Sequence, residues 1–265
     1  MIKVVELLYR AINRARRALY RAGALKAKKL PVPVISVGAI AAGGSGKTPA
    51  TIAIARALSE RGLRVAVLTR GYGRAGAGGK VDAFDTNRFG DEPVLIKKRL
   101  PNVAVLVGKN RYENAIRFPA DVFVLDDGFQ HLQLHRDLDV VIDHDSGFFR
   151  EGRRALRFAD LVLPRRVEAR IPPELQRRKV FAFAGLANNR QFFDLFDLAG
   201  SMSFPDHHRY SRADIEAIKR AANGNPIVTT EKDAVKIDDP AIIAIPAEFA
   251  IDPRDLERIV AAVKR

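Results

Sequence analysis

The stretch from Pro33 to Pro49 constrains the fold more than any other part of the chain. The apolar run Val34-Ile35-Ser36-Val37 leads into Gly38, the turn Gly43-Gly44-Ser45-Gly46 follows, and Lys47-Thr48 opens a helix. In a strand, glycine turn and helix start of this kind, successive backbone N–H groups point at one phosphate cluster, with the positive end of the helix dipole behind them. Gly43, Gly44, Ser45 and Gly46 then cradle a nucleotide, Lys47 reaches its β- and γ-phosphates, and Thr48 holds Mg²⁺. The strict spacing G-x-x-x-x-G-K-[ST] is broken once, because Ala41 stands where its first glycine belongs. Gly43 and Gly44 supply the backbone freedom in its place. The alternative is a glycine-rich strand–helix turn that binds nothing.

The rest of the chain fits a doubly wound α/β protein. Its 265 residues, 47% of them hydrophobic, suffice for one large α/β domain and a smaller unit. Cysteine is absent, which excludes disulfides and cysteine-bound metal. No apolar run approaches the ~20 residues of a membrane-spanning helix, and no secretory signal is visible. The net charge of +14 implies an anionic partner: nucleic acid, an acidic lipid surface or a phosphorylated substrate.

In chain order, residues 3–22 read as an amphipathic helix stopped at Gly23. Leu8, Ile12, Ala15 and Leu19 form one stripe, and Arg10, Arg14, Arg17 and Arg21 the opposite one. Such a helix either lies on an anionic membrane or packs its apolar stripe on the domain with its arginines in solvent. Helices are predicted over 51–61, after Pro93 and over 112–118, and strands over 64–69, 102–107, 121–125, 138–142 and 161–163. Residues 73–80 read as a mobile loop near the site and 164–178 as a connection. A smaller α/β unit follows, with strands near 180–184, 226–229 and 241–245 and helices near 188–199, 211–222 and 253–264. Alternating strands and helices predict a mostly parallel sheet. The expected division is an N-terminal interface helix (1–29), a phosphate-loop core (30–170) and a C-terminal lobe (171–265).

Three groups of residues carry chemistry. Asp126 ends an apolar strand and is followed by Asp127, the placement of an acid that holds Mg²⁺ beside a phosphate loop; a plain Asp-Asp-Gly turn is the alternative. Asp91 and Glu92 precede Pro93, where acids act as bases or simply favour a helix N-terminus. Asp206-His207-His208 lacks zinc spacing and reads as a histidine paired with a carboxylate or as an exposed loop.

Taken in order, these motifs resemble a known family. Leu30-Pro31-Val32-Pro33, Gly43 to Pro49, Arg70-Gly71-Tyr72, Gly90-Asp91-Glu92-Pro93, Asp126-Asp127-Gly128-Phe129-Gln130-His131, Pro205-Asp206-His207 and Thr229-Thr230-Glu231-Lys232-Asp233 together resemble the tetraacyldisaccharide 4′-kinases of lipid A biosynthesis. These are membrane-associated P-loop enzymes of Gram-negative bacteria. The resemblance implies transfer of the ATP γ-phosphate to the 4′-hydroxyl of a tetraacylated disaccharide 1-phosphate, by a monomer on the cytoplasmic face of the inner membrane and with no nucleic-acid partner. It implies Asp91 as base with His207 as its partner, and Lys47 in the nucleotide site. Thr48, Asp126, Asp127 and Glu92 would lie around Mg²⁺, and Arg70, Tyr72, Gln130 and His131 toward the substrate. Two departures stand out: Ala39 replaces the usual Asn, and the segment Gly147 to Arg154 replaces a longer Pro/Gly-rich loop. A nucleotide hydrolase driving assembly or metal delivery, and a nucleic-acid-binding module, are the rival functions.

Overall fold

The computed structural model describes residues 2–144 and 147–264, so Met1 and Arg265, the ends of two expected segments, lie outside it. Its centre is the strand Val34–Gly38, buried along its whole length. This strand lies between Val122–Asp126 and Leu138–Asp143, parallel to both. Outward from there the seven-stranded sheet continues to Val65–Thr69, Ala104–Val107 and Gly79–Lys80 on one side and to Leu161–Pro164 on the other. Only the edge strand Gly79–Lys80 is antiparallel. It occupies the end of the stretch expected to be a loop.

Both faces of the sheet are covered, which is why its strands read as continuous apolar runs. Ile35, Val37, Val65, Val67, Val122 and Val124 face the helix Lys47–Glu60 in one core cluster. Val34, Ala66, Leu68, Phe123 and Leu125 face the other way, with Leu30 and Leu134. Each such buried side chain contributes roughly 1.5–3 kcal/mol relative to exposure.

A second sheet, entirely parallel, runs Leu198–Ser203, Val180–Ala184, Ile227–Thr230, Ile242–Ile245. The helix expected over 188–199 is confined to Arg190–Phe193, and a strand occupies 198–203. That strand is a half-exposed edge of small and polar residues, Leu-Ala-Gly-Ser-Met-Ser, and carries no apolar run to betray it. The connection 164–178 also contains a strand, Val167–Ala169, paired antiparallel with Ala247–Phe249. Through this pair the chain returns to the large sheet: Phe249, Ile259 and Val260 join the core around the phosphate-loop helix. The last helix, Pro253–Val263, starts at a capping Asp252 with proline in its first turn.

The N-terminal helix, Ile2–Arg21, sits the opposite way round from a helix that packs its apolar stripe. Leu7, Leu8 and Ile12 are 68%, 61% and 51% exposed, whereas Asn13 and Arg17 are buried. The expected outward-facing arginine stripe is corrected accordingly. Arg17 is turned inward onto Glu151, and Arg10 pairs with Glu6 and lies over the Phe149 ring. Arg14 remains exposed. No helix among the described residues is long and apolar enough to cross a membrane.

The central strand ends in a close approach. A Cβ at Gly38 would lie 2.5 Å from the Phe129 Cβ and 2.8 Å from its backbone nitrogen. Gly38→Ala is therefore expected to destabilise the fold by about 1–3 kcal/mol, read as a lower urea midpoint. An unchanged midpoint would contradict this packing.

Candidate active site

Ligands of open α/β sheets bind beyond the carboxyl ends of the strands, where the order of winding reverses. Here that point is the end of Val34–Gly38, and the glycine turn leaves from it. Gly43, Gly44 and Gly46 have φ of 81°, 60° and 79°, so the left-handed backbone of the cradle falls on glycine throughout. Ala41 is different. It lies in a two-residue strand, Ala41–Ala42, paired with Phe148–Phe149, and has no positive φ, so the broken motif costs the loop nothing there. Lys47 is the first residue of the helix and Thr48 the second. The Lys47 ammonium donates to the Ser45 hydroxyl at 2.7 Å and lies 3.7 Å from Asp127.

The two aspartates at the end of Val122–Asp126 have separate environments. Asp126 is enclosed: Thr51 donates to one oxygen at 2.9 Å and Thr69 to the other at 3.1 Å. Burial pushes its carboxyl up to about 7, reinforced by the charges of Glu92 and Asp127. Asp127 adopts a left-handed backbone, φ 50°, that turns its side chain to the phosphate loop. Burial raises its carboxyl, but Lys47 and a 2.8 Å ion pair with Arg150 outweigh this and hold it below the usual range. One Asp127 oxygen is buried without a hydrogen-bond partner.

Among the described residues no three acidic or histidine side chains converge into a metal cage. A Mg²⁺ site does not require one, since this ion takes one or two carboxylates and completes its shell with phosphate and water. The Asp127 oxygen that accepts no hydrogen bond, Glu92 and the Thr48 hydroxyl are the hard oxygen donors beside the loop, and they fit that ion.

Asp91 and His207 come together although 116 residues apart: Nδ1 of His207 lies 3.1 Å from Oδ2 of Asp91. Asp91 starts the helix Asp91–Arg99, set up by Gly90 at φ 95°, and this helix packs on the phosphate-loop helix. His207 comes from the turn after Leu198–Ser203 and is held at φ 60°, a strained conformation for a residue with a Cβ. Tyr72 stacks against its ring at 5.4 Å between centroids. Behind the pair, Lys232 lies 3.4 Å from His207 Nε2 and donates to Asp206 at 2.8 Å. Lys236 lies 3.8 Å from Asp91 and 2.7 Å from Asp233, and Asp233 accepts from the backbone N–H of Gly185.

The remaining expected residues divide. Arg70 and Tyr72 are exposed at the mouth of the crevice. Gln130 is absorbed by the protein itself, donating to the Ala39 carbonyl at 2.9 Å and to Glu151 at 3.0 Å. His131 lines a separate cavity of about 370 Å³ with Tyr20, Lys26, Lys28, Lys109 and Tyr112. Arg111 went unnoticed in the sequence. It is buried after the strand Ala104–Val107, where burial and the charge of Arg70 bring it to about 10 while Asp127 and Asp126 oppose them. The signal available was its place in Gly108-Lys109-Asn110-Arg111, directly beyond a strand end.

The chain is similar to known proteins over nearly its whole length. The model of the family described as tetraacyldisaccharide-1-P 4′-kinase matches residues 1–170 and 153–265. The chain belongs to the tetraacyldisaccharide-1-phosphate 4′-kinase family. A tetraacyldisaccharide 4′-kinase of Anaeromyxobacter dehalogenans is 39% identical over 91% of this chain and 81% of its own. One from Geobacter metallireducens is 34% identical over 98% of this chain and 96% of its own. The crystal structure of LpxK from Aquifex aeolicus in complex with ATP matches with a TM-score of 0.81 at 31% identity, covering 99% of this chain and 98% of that one. This member of the family therefore shares the whole fold of a structure solved with nucleotide.

One consequence concerns pH. Burial, aided by Arg111, Arg136 and other cations, brings His131 down to about 4. Between that value and the ~6.5 of a free histidine, the unfolded chain binds a proton that the folded chain does not. Stability from His131 is thus complete above that window and lost as pH falls through it. Urea midpoints are expected to drop less for His131→Gln than for the wild type between about pH 7 and about pH 5. Equal drops would contradict the assignment.

Proposed function

We propose that this chain transfers the γ-phosphoryl group of ATP to the 4′-hydroxyl of a tetraacylated glucosamine disaccharide 1-phosphate, at the cytoplasmic face of the bacterial inner membrane. The observation that carries the reading is the 3.1 Å pairing of Asp91 with His207 beside a phosphate loop. A sugar hydroxyl is a poor nucleophile and gains from a positioned carboxylate that takes its proton. As the bond from the hydroxyl oxygen to the γ-phosphorus forms, the bond to the β-phosphate oxygen breaks, ADP leaves and the proton passes to Asp91. His207, with Nδ1 protonated, orients that carboxylate, and Lys232 and Asp206 fix the ring from its other nitrogen. Lys47 and the amides of the glycine turn spread the charge of the phosphoryl group. Thr48, Asp127 and Glu92 would hold Mg²⁺, which would supply further charge neutralisation. Asp91, His207 and Lys47 lie on one chain, so a monomer suffices.

The membrane role rests on the first helix. Val4, Val5, Leu7, Leu8, Ile12 and Leu19 form an unburied apolar surface, while the polar side of the helix holds it to the protein. An exposed apolar stripe on a protein of charge +14 suits an anionic lipid interface. Changing Leu7, Leu8 and Ile12 to Ser is expected to lower partition into anionic vesicles at least about 100-fold, given roughly 1.5–3 kcal/mol per apolar side chain. Unchanged flotation would exclude this face as the anchor.

The dyad is tested by kinetics at saturating ATP. Asp91→Asn and His207→Ala are each expected to lower kcat by about 10²–10⁴-fold. The double variant should lose much less than the product, because the two act as one unit. Fully multiplicative losses in folded protein would mean that the residues act independently.

A further inference from the structure

The first helix reaches the candidate site through one buried ion pair. Arg17 forks onto Glu151, Nε donating to Oε2 at 3.1 Å and Nη2 to Oε1 at 2.9 Å, with both side chains less than one-tenth exposed. The same Nη2 donates to the Phe129 carbonyl at 3.3 Å, and the guanidinium lies 4.4 Å from the centre of the Phe129 ring. Glu151 takes a further bond from Gln130 at 3.0 Å, and Gln130 in turn holds the Ala39 carbonyl. One turn earlier on the helix, Asn13 donates to the Arg150 carbonyl at 3.0 Å, and the Arg150 guanidinium holds Asp127. The segment 127–131 and Arg150, which carry the acidic pair's loop, are thus tied to the surface proposed to lie on lipid.

A buried ion pair is a poor source of stability, since apolar residues of similar size commonly replace one without loss. What this pair supplies is geometry: a planar fork that fixes Glu151, Gln130 and Phe129 at once. We propose that Arg17 is a positioning residue of the phosphoryl-transfer site, clamping segment 127–131 and Arg150, and through them Asp127, to the membrane-facing helix. The proposal rests on the kinase reading above and names how the lipid-facing surface and the phosphoryl-transfer site are held in register.

The test uses the full chain with ATP, Mg²⁺ and the disaccharide 1-phosphate in mixed micelles, with Arg17→Lys and the double variant Arg17→Met/Glu151→Met. The expected result is a fall in kcat of about tenfold or more in the double variant at saturating ATP and acceptor, because the loop carrying Asp127 is no longer held in place. Arg17→Lys, which keeps the charge and loses the fork, falls between it and the wild type. Amide hydrogen exchange at residues 128–131 should quicken in both variants. A folded double variant with wild-type kcat overturns the proposal. If the double variant fails to fold, a Lys variant with wild-type kcat and exchange overturns it. Should the wild type transfer no phosphate to the disaccharide, the kinase reading fails, and exchange at 128–131 alone decides the clamp: unchanged rates overturn it.

Discussion

One enclosed carboxyl holds the site together. Asp126 ends the strand Val122–Asp126 and accepts a hydroxyl proton from Thr51 on the phosphate-loop helix and another from Thr69 at the end of the neighbouring strand. Three elements that could otherwise slide are tied at the point where the crevice begins. Hydrogen bonds of this kind contribute about 0.5–1.5 kcal/mol each, and here both lie in the buried core. The next residue, Asp127, is turned out by its left-handed backbone, so two adjacent aspartates serve different ends. One fixes the framework, and the other faces Lys47 and Arg150.

The second constraint is the return of the chain. The smaller parallel sheet carries His207, and the strand pair Val167–Ala169 with Ala247–Phe249 bonds its flanks back to the large unit. Arg99 reinforces this from the dyad helix, with ion pairs to Glu231 at 2.7 Å and Glu248 at 3.4 Å. Without that anchorage nothing local would bring His207 to Asp91. The strain at His207 is held by Tyr72 on one side and by Lys232 and Asp206 on the other.

Much of this was legible in the sequence, and the failures have physical causes. Strands buried on both faces, such as Val34–Gly38 and Val122–Asp126, announce themselves as apolar runs. The phosphate loop declares itself through glycine because its backbone needs positive φ. The strand Leu198–Ser203 went unread, its first two residues taken into the helix expected over 188–199, because an edge strand half in solvent needs no apolar run. The seating of the first helix stayed open between two readings for a different reason: periodicity finds two faces but does not say which one the protein covers. Arg17 looked like solvent-facing charge because its partner Glu151 lies 134 residues away. The Asp91–His207 pair was reachable only through family resemblance, since no local pattern links residues so far apart. Arg111 and Lys236 escaped because buried charges are recognised by their surroundings, which only the folded chain reveals.

The central claim is that one crevice joins a nucleotide loop to a carboxylate–histidine pair in order to phosphorylate a lipid-linked sugar. The most direct test is incubation of the purified protein with γ-labelled ATP, Mg²⁺ and the tetraacylated disaccharide 1-phosphate, with the product resolved by mass and the phosphate located by NMR. The account predicts one added phosphate, at the 4′ position, and ADP formed in equal amount. Release of inorganic phosphate with the disaccharide unmodified, or a phosphate attached elsewhere, would contradict it.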